Sequence, residues 1–358
     1  MRKFLGLDFW LFIPALTVYT LGISILLSIA PNLFFNQLIY GVAAFIVFFV
    51  FSQIDYRIFP GFNKIIYIIC VIFLILTYVL GQSTRGSVRW IDVGGFIRLQ
   101  PSELIKPFLI MFVASFFLKK SQSFPRFIIW TILYFIPLIM VLKQPDLGNA
   151  IVYFSFWIVI IFISGFKVWL VPIIICLTVL FIPLFWRFLK DYQKERIVSF
   201  LNPQSDPLGI GYNAIQAMVA VGSGGFWGLG LGRGTQSHLL FLPEYHTDFI
   251  FASFSEEFGF IGVLLLIFLY CLILTRIIVI GINSQDKFGL LVSGGIFGVL
   301  FTQFFINVGM NIGLLPITGI TLPLVSYGGS SLLSFAILLG IASNIAKNRK
   351  KDDLLTIR

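Results

Sequence analysis

Four histidine and acidic side chains fall within one short stretch, GTQSHLLFLPEYHTDFIF, at residues 234–251. The stretch holds both histidines of the chain, His238 and His246, together with Glu244 and Asp248. A carboxylate in this setting can accept a proton from a hydroxyl nucleophile, or it can bind a divalent cation. The stretch therefore predicts proton-transfer or cation chemistry at the mouth of the apolar segment that follows it.

Two other kinds of site use the same residue types. Zinc accepts histidine and carboxylate ligands, but the spacing here matches no His-Glu-x-x-His helix and no cysteine pair stands nearby. An intramembrane serine protease would need a Ser–His pair inside the apolar segments, whereas His238 and His246 both lie outside them. The pattern disfavours both alternatives.

The composition shows what kind of protein positions these residues. Of the 358 residues, 58% are hydrophobic and only 11% are charged, and the mean hydropathy is +0.99. Soluble domains carry about 25% charged residues, so we predict an integral membrane protein, a single polytopic domain over 1–358 surrounded by membrane lipids. The net charge of +10 does not indicate nucleic acid, because no basic stripe with interleaved aromatic residues is present.

Ten apolar segments are long enough to span a bilayer. They predict an all-α bundle of about ten transmembrane helices, with a long extracytoplasmic loop over 187–247 before the eighth span. The predicted spans lie near 10–30, 34–52, 63–80, 103–118, 126–143, 147–164, 167–186, 249–275, 287–308 and 327–346. An even number of spans places both termini on one side, and most Lys and Arg of the short loops fall on that side. The positive-inside rule therefore predicts cytoplasmic termini.

Four polar segments then face outward. They are RGSVRWIDVGGFIRLQPSELIKP at 85–107, KQPDLGNA at 143–150, the loop at 187–247, and ITGITLPLVSYGGSS at 317–331. Capped helix ends or flexible glycines can explain each segment taken alone. Because all four meet the outer ends of the spans, together they predict a polar cavity that opens outward.

Helix geometry assigns places to several of these side chains. Glu103 and Lys106 are three residues apart, so we expect them to pair on one helix face in the cavity wall. We expect Ser102 and Thr247 to be N-caps of the helices that follow them, and Asp146 to cap the helix after the 143–150 turn.

The carboxylates at the start of the eighth span are expected to differ in role. Asp248 at its mouth would be kept ionised by the helix dipole. Glu256 lies two turns deeper, about 80° around the helix from Asp248, and is expected in the same cavity. Glu257 points to the other side and is expected to brace a neighbouring helix.

Several motifs, taken together, are specific to a known family. GTQSHLLFLPEYHTDFIFASFSEEFGFIG, QPSELIK, KQPDLG, ERIVSFLNP, GYNAIQA and LPLVSYGGSS resemble, in the same order, the signatures of the SEDS family, the shape, elongation, division and sporulation membrane proteins. The resemblance covers essentially the whole chain and is strongest to the RodA-like branch.

This resemblance implies a peptidoglycan glycosyltransferase of the bacterial cytoplasmic membrane that polymerises lipid II at the outer face, with a class B penicillin-binding protein as partner. It implies Asp248 as the catalytic residue, acting as general base or as ligand of a divalent cation, Mg²⁺ or Mn²⁺. The residues expected to contact the substrate are Glu103, Lys106, Arg196, Gln236, Glu244, His246, Thr247, Glu256, Ser330 and Ser331. A lipid II flippase and a scaffold that only recruits a synthase are the alternatives.

Overall fold

The structure, a computed structural model, describes residues 7–84, 87–93, 97–118, 123–165, 191–202 and 210–348, with isolated positions between 166 and 190. Its helices in chain order are α1 (Phe9–Ile29), α2 (Pro31–Gln53), α3 (Asn63–Leu80), α4 (Pro101–Leu104), α5 (Lys106–Phe116), α6 (Phe124–Lys143), α7 (Leu147–Ser164), α8 (Asp191–Leu201), α9 (Ile210–Ser223), α10 (Thr235–His238), α11 (Ile250–Ile282), α12 (Lys287–Asn311) and α13 (Gly329–Lys347). A 3₁₀ helix, Tyr56–Phe62, leads into α3.

The predicted helical membrane bundle is confirmed. Within the described residues, eight helices are long and apolar enough to cross a membrane: α1, α2, the 3₁₀ helix with α3, α6, α7, α11, α12 and α13. The fourth predicted span forms two shorter helices, α4 and α5, which meet at Ile105. The seventh predicted span, 167–186, lies almost entirely outside the described residues. The predicted loop at 187–247 contains α8, α9 and α10, so it has regular structure of its own.

A small antiparallel sheet, which the sequence did not predict, lies between α3 and α4. Its strands are β1 (Gln82–Thr84), β2 (Ser87–Val93) and β3 (Ile97–Leu99), in the order β1-β2-β3. The β2–β3 register pairs Ile91 with Leu99 and Asp92 with Arg98. Because β3 is followed directly by Gln100 and α4, the sheet fixes the approach of the chain to the fourth predicted span.

Burial separates the central helices from those that face lipid. In the most apolar stretch of α13, 89% of the residues are buried, against 17% in α2. In a bilayer, apolar side chains such as Phe35 and Ile39 of α2 can face hydrocarbon at no cost, which accounts for their exposure on the outside of the bundle. Thus α13 lies in the interior, where polar side chains near its ends can contribute to a site.

The 33-residue helix α11 is broken at Gly259, whose φ of 65° and ψ of −167° are not helical. The 225–230 segment fills the break. Leu229 N and Gly230 N donate to the carbonyls of Glu256 and Glu257, each at 3.0 Å, while Phe260 N donates to Gly225 O at 3.0 Å. Backbone groups freed inside a membrane helix need such protein partners because lipid offers none.

A group of polar contacts ties together the start of α1 and the ends of α11 and α13. Asp8 caps α1, its Oδ2 lies 2.5 Å from Arg276 Nη2, and its backbone N–H donates to Ser343 Oγ at 3.2 Å. Close by, Tyr56 donates its hydroxyl to Asp286 Oδ2 at 2.6 Å and its backbone N–H to Asn344 Oδ1 at 3.1 Å. The described beginning and end of the chain therefore lie together at one end of the bundle.

Candidate active site

All four polar segments meet at one cavity of about 250 Å³. Its walls come from the strand β2 and helix α4 region, α7, α8, the turn before α11, and the segment before α13. The lining residues are Arg89, Trp90, Gln100, Glu103, Asn149, Arg196, Glu244, Thr247, Asp248, Gly319, Ile320, Thr321, Tyr327, Gly328 and Ser331. The cavity predicted from these segments is therefore present, and it gathers the candidate residues Glu103, Arg196, Glu244, Thr247, Asp248 and Ser331.

Asp248 is held by its backbone at the mouth of α11. Its carbonyl oxygen accepts hydrogen bonds from Asn307 Nδ2 at 3.0 Å and Asn311 Nδ2 at 3.1 Å, both from α12. Both asparagines are fully buried, whereas Asp248 is only partly buried. The contacts fix the backbone of Asp248, and its side chain lines the cavity, where a substrate could reach it.

The prediction that Thr247 is an N-cap is wrong. Helix α11 begins at Ile250, and Phe249 is its N-cap without a side-chain hydrogen bond. The turn before it is built around Glu244, whose carbonyl accepts from the N–H groups of Thr247 and Phe249 at 3.1 and 3.2 Å. Thr247 Oγ1 donates to Glu244 Oε2 at 3.1 Å. The threonine hydroxyl thus orients a second cavity carboxylate, which the sequence could not show because it depends on a turn rather than on helical spacing.

A cationic group approaches Asp248 across Gly319. A Cβ atom at Gly319 would lie 3.3 Å from Asp248 Oδ2 and 3.7 Å from Arg196 Nη1. The guanidinium is itself positioned by a 3.2 Å hydrogen bond from Nη1 to Ile317 O. Glycine at this place therefore leaves room for the carboxylate and the guanidinium to converge on one point, an arrangement suited to a substrate that carries phosphate.

Asp146 organises another part of the cavity wall through its contacts with the lining residues Asn149 and Gln100. It caps α7 as predicted, accepting from Asn149 N at 3.2 Å, and it also accepts from Asn149 Nδ2 at 2.8 Å and Gln100 Nε2 at 3.0 Å. Ser102 Oγ lies 3.2 Å from Asp146 Oδ2. The predicted role of Ser102 as an N-cap is wrong, because Gln100 occupies that position and the serine side chain turns towards the carboxylate instead.

Glu103 and Lys106 form the predicted ion pair, with Oε2 and Nζ 2.7 Å apart. The lysine side chain is fully buried and the glutamate side chain is 6% exposed. Glu103 reaches the cavity, and Lys106 lies behind it. The pair therefore supports the wall from within the bundle, so direct contact of Lys106 with substrate stays a prediction that the geometry does not favour.

The lining residues that were not among the predicted substrate contacts include Arg89, Gln100 and Asn149. Arg89 donates from Nε to Gln144 O at 3.2 Å and from Nη2 to Pro145 O, and its Nη1 lies 3.8 Å from Asp146 Oδ1. All three residues fall inside the quoted polar segments. Only the sheet and the 144–146 turn reveal that they face one cavity, because neither feature has a helical period.

The two serines of the last polar segment have different surroundings. Ser331 lines the cavity, and its Oγ lies 3.0 Å from Thr321 Oγ1. Ser330 is buried and accepts from Gln100 N at 2.9 Å, which ties α13 to α4. Beside them, burial raises the pKa of the Tyr327 phenol above its ordinary value, so this lining residue stays neutral.

The structure places Glu256 away from the cavity, contrary to the helical-spacing argument. It is fully buried and accepts from Thr235 Oγ1, Gln236 N and Ser237 Oγ at 3.2, 2.9 and 3.3 Å. These contacts hold α10 against α11. Gln236 belongs to α10, so it lies beside Glu256 and is not among the residues that line the cavity. The physical reason is that residues 225–238 fold over this face of α11 and supply hydrogen-bond donors to the buried carboxylate.

Glu257 braces neighbouring elements, as expected. Its Oε1 accepts from Ser28 Oγ at 2.8 Å and lies 2.9 Å from His238 Nε2. His246 contacts Tyr327, with ring centroids 5.8 Å apart, and its carbonyl accepts from Tyr327 N at 3.0 Å. Thus His246 supports a lining residue and His238 fastens a loop.

The residues fit a divalent cation only in an open arrangement. Among the residues that the structure describes, no group of three or more His, Cys, Asp or Glu side chains could hold a metal ion. Mg²⁺ commonly uses one or two carboxylates and completes its shell with water and substrate phosphates. Asp248, with Glu244 in the same wall, offers carboxylates of that kind.

Fold and site together define an integral membrane protein of many helices with a polar cavity that contains carboxylates and guanidinium groups. The FtsW/RodA/SpoVE family model, described as "Cell cycle protein", matches residues 3–351. The chain belongs to this family, the SEDS family.

The sequences of similar proteins align with this chain over most of their length. Peptidoglycan glycosyltransferase MrdB of Escherichia coli strain K12 is 42% identical over 308 residues, 85% of this chain and 83% of that protein. Peptidoglycan glycosyltransferase RodA of Treponema pallidum is 33% identical over an alignment 408 positions long, which covers 93% of this chain and 94% of that protein.

A solved structure described as "Structural coordination of polymerization and crosslinking by a peptidoglycan synthase complex" gives a TM-score of 0.83. It is 29% identical in sequence and covers 98% of this chain and 100% of that one.

Proposed function

We propose that this chain is a peptidoglycan glycosyltransferase that polymerises lipid II into glycan strands for cell elongation and rod shape. Relatives named peptidoglycan glycosyltransferase MrdB and RodA support this function. The observation that carries it is the position of Asp248. Its backbone is held by two buried asparagines, and its carboxylate and the Arg196 guanidinium both lie beside Gly319 in a cavity formed by all four signature segments.

Asp248 serves the reaction in one of two ways. As a general base, its carboxylate accepts the proton of a sugar 4-hydroxyl while the hydroxyl oxygen attacks the anomeric carbon of a second sugar. The bond from that carbon to the pyrophosphate oxygen breaks, the anomeric configuration inverts, and undecaprenyl pyrophosphate leaves with the bonding electrons. Alternatively, Asp248 is a ligand of a divalent cation, Mg²⁺ or Mn²⁺, which when bound supplies positive charge to the pyrophosphate leaving group.

The cations of the cavity suit the leaving group in either case. Arg196 and Arg89 both line it, and guanidinium groups bind phosphate oxygens through paired, charge-assisted hydrogen bonds. Both are already oriented by backbone carbonyls, Ile317 O for Arg196 and Gln144 O for Arg89. Such preorganised donors stabilise charge as it develops, with little rearrangement during the reaction.

The proposal places the protein in the bacterial cytoplasmic membrane with both termini in the cytoplasm and the cavity facing outward. The distribution of Lys and Arg in the short loops supports this orientation. The position of Asp8 beside Ser343 supports a shared side for the two ends of the chain.

A class B penicillin-binding protein is the proposed partner. The similar solved structure described as a peptidoglycan synthase complex supports such an assembly. In that arrangement, glycan strands made in the cavity of this chain would pass to a transpeptidase in the same complex.

The test is polymerisation by the purified protein in vesicles. Wild type supplied with lipid II and Mn²⁺ should give a ladder of glycan strands on a gel. Asp248→Asn and Asp248→Ala should lose at least about a hundredfold in rate, the order expected for a general base or for loss of charge stabilisation. Asp55→Asn is the control, since Asp55 is an exposed acid paired with Arg57 near Tyr56, away from the cavity.

Two outcomes would overturn the assignment. Equal polymerisation by wild type and by the Asp248 variants would remove Asp248 from the chemistry. A wild type that makes no polymer but moves lipid II across the vesicle membrane would establish the alternative, a flippase.

A further inference from the structure

An apolar groove of about 100 Å³ lies on the lateral surface of the bundle, where α1, α2 and α13 meet. Among its lining side chains only Tyr19 carries a polar group, and the Tyr19 hydroxyl is already donated to Gln37 O at 2.8 Å. Leu16 and Phe45 on its rim are 46% and 51% exposed. The groove is thus open from the side, in helices that cross the membrane, and a hydrocarbon chain could enter it.

The groove shares a wall with the polar cavity. The segment 321–332 contributes Thr321, Tyr327 and Ser331 to the cavity, and Leu324 and Leu332 to the groove. Ser331 and Leu332 are consecutive residues in the first turn of α13. One short stretch of chain therefore has a polar side and an apolar side, as binding of an amphiphile requires.

This wall is anchored to the chain on either side of Asp248. Ser326 Oγ donates to Thr247 O at 2.7 Å, and Tyr327 N donates to His246 O at 3.0 Å. A chain in the groove would therefore lie against the same backbone that positions the carboxylate.

Leu324 itself has an unusual backbone. Its φ of 64° lies in the left-handed region, which a branched side chain rarely occupies without support. The support comes from Tyr270, whose hydroxyl donates to Pro323 O, and from hydrogen bonds of 3.2 and 3.0 Å that Leu322 O accepts from Val325 N and Ser326 N. The structure thus maintains a strained residue that presents its side chain to the groove.

We infer that the groove holds the first part of the polyprenyl tail of the lipid-linked sugar substrate while its sugar and pyrophosphate occupy the cavity. This assignment rests on the proposed function. The volume admits only the first few carbon atoms of such a tail, since a cavity of about 150 Å³ is the size that holds one benzene molecule. Because membrane lipid is as apolar as the groove, selectivity comes from packing and from the attached head group, not from removal of water.

Photo-crosslinking tests the occupant directly. The full chain, carrying p-benzoylphenylalanine at position 16, is placed in phosphatidylglycerol vesicles with a trace of radiolabelled lipid II. The matched control carries it at position 132, since Ile132 of α6 is 59% exposed, lies a similar number of residues into its helix, and is not among the residues that line the groove. Lipid II should be captured at position 16 in excess over its mole fraction, and at position 132 only in proportion to it.

The competing occupant gives a different result. If phospholipid acyl chains fill the groove, capture of lipid II will follow its mole fraction at both positions, and the inference is wrong. Excess unlabelled undecaprenyl phosphate should abolish the surplus at position 16, and persistence of that surplus would also contradict the inference. Capture reports binding without requiring polymer, so failure of the proposed function remains distinguishable from failure of the groove assignment.

Kinetics supply a second measurement. Phe45→Ala removes contacts from the exposed rim, and Ala15→Leu fills the groove. Both should raise KM for lipid II roughly threefold, as expected for the loss of several van der Waals contacts, and leave kcat within twofold, because the tail does not react. Ile132→Ala should change neither constant. Unchanged KM in both groove variants would contradict the inference.

Discussion

Asn307 Nδ2 lies within hydrogen-bonding distance of the backbone carbonyls of both Asp248 and Ile320, at 3.0 and 2.7 Å. One buried side chain on α12 therefore joins the turn that carries the candidate catalytic carboxylate to the neighbouring wall segment that contains Gly319 and Ile320. The link holds together two stretches of backbone that are not part of a helix or strand.

Asn307→Ala should slow polymerisation per folded molecule, beyond the loss of activity that follows from a smaller folded fraction. The change leaves the buried Ile320 carbonyl without this donor, at a cost of about 1–3 kcal/mol, and it leaves the Asp248 carbonyl with the Asn311 hydrogen bond alone. We expect kcat to fall about tenfold or more, since small displacements of a catalytic group are costly. The measurement is polymer formed per folded molecule, with folding followed by thermal unfolding in detergent.

Asn344→Ala provides the matched control. Asn344 is also buried, donates to Ser52 O at 2.8 Å and accepts from Tyr56 N at 3.1 Å, but it lies among the contacts near Asp8 and Ser343. It should lower stability by a comparable amount and leave the rate per folded molecule unchanged. Equal loss of rate in both variants would show that Asn307 acts through stability alone.

Breaking the buried ion pair should be more damaging than removing it. Glu103→Gln or Lys106→Met leaves one buried charge without its 2.7 Å partner, at a cost of about 3–5 kcal/mol. The double variant Glu103→Gln/Lys106→Met removes both charges and should recover much of this stability. A double-mutant cycle on thermal unfolding measures the coupling, and additive effects would show that the pair contributes nothing beyond packing.

The break in α11 should tolerate no side chain at Gly259. A Cβ atom there would lie 2.1 Å from Gly228 N, and the φ of 65° is unfavourable for alanine. Gly259→Ala should therefore destabilise the protein by at least about 1–3 kcal/mol. Gly222→Ala is the control, because nothing lies within 4 Å of a Cβ atom at that position. Similar melting temperatures for both variants would mean that the 225–230 segment does not fix the break.

Removal of divalent cations should slow polymerisation. A chelator is expected to reduce the rate about tenfold or more, and added Mg²⁺ or Mn²⁺ should restore it, because the leaving pyrophosphate needs its charge neutralised. If Asp248 is a ligand, Asp248→Asn should also weaken the Mn²⁺ binding that electron paramagnetic resonance detects in the presence of lipid II. Full activity in the chelator would remove the cation from the proposed mechanism.

The sequence by itself determined the class of protein and the main chemical candidate. Apolar runs of about 20 residues have the length of a transmembrane helix. In a helix every backbone group pairs within its own segment, which is what the hydrocarbon of a bilayer requires. Two predictions from local spacing also held, although the N-cap predictions for Ser102 and Thr247 did not. Glu103 pairs with Lys106 three residues away, and Asp146 caps α7.

Tertiary structure decided which polar side chains share the cavity. Glu256 has the helical phase of a cavity residue, yet Thr235, Gln236 and Ser237 cover it. Arg89 enters the cavity because a small sheet brings β2 beside the 144–146 turn. Helical spacing fixes only the direction of a side chain around its own axis. Loops, strands and backbone contacts between distant segments fix what it meets there, and these arise from packing of the whole bundle.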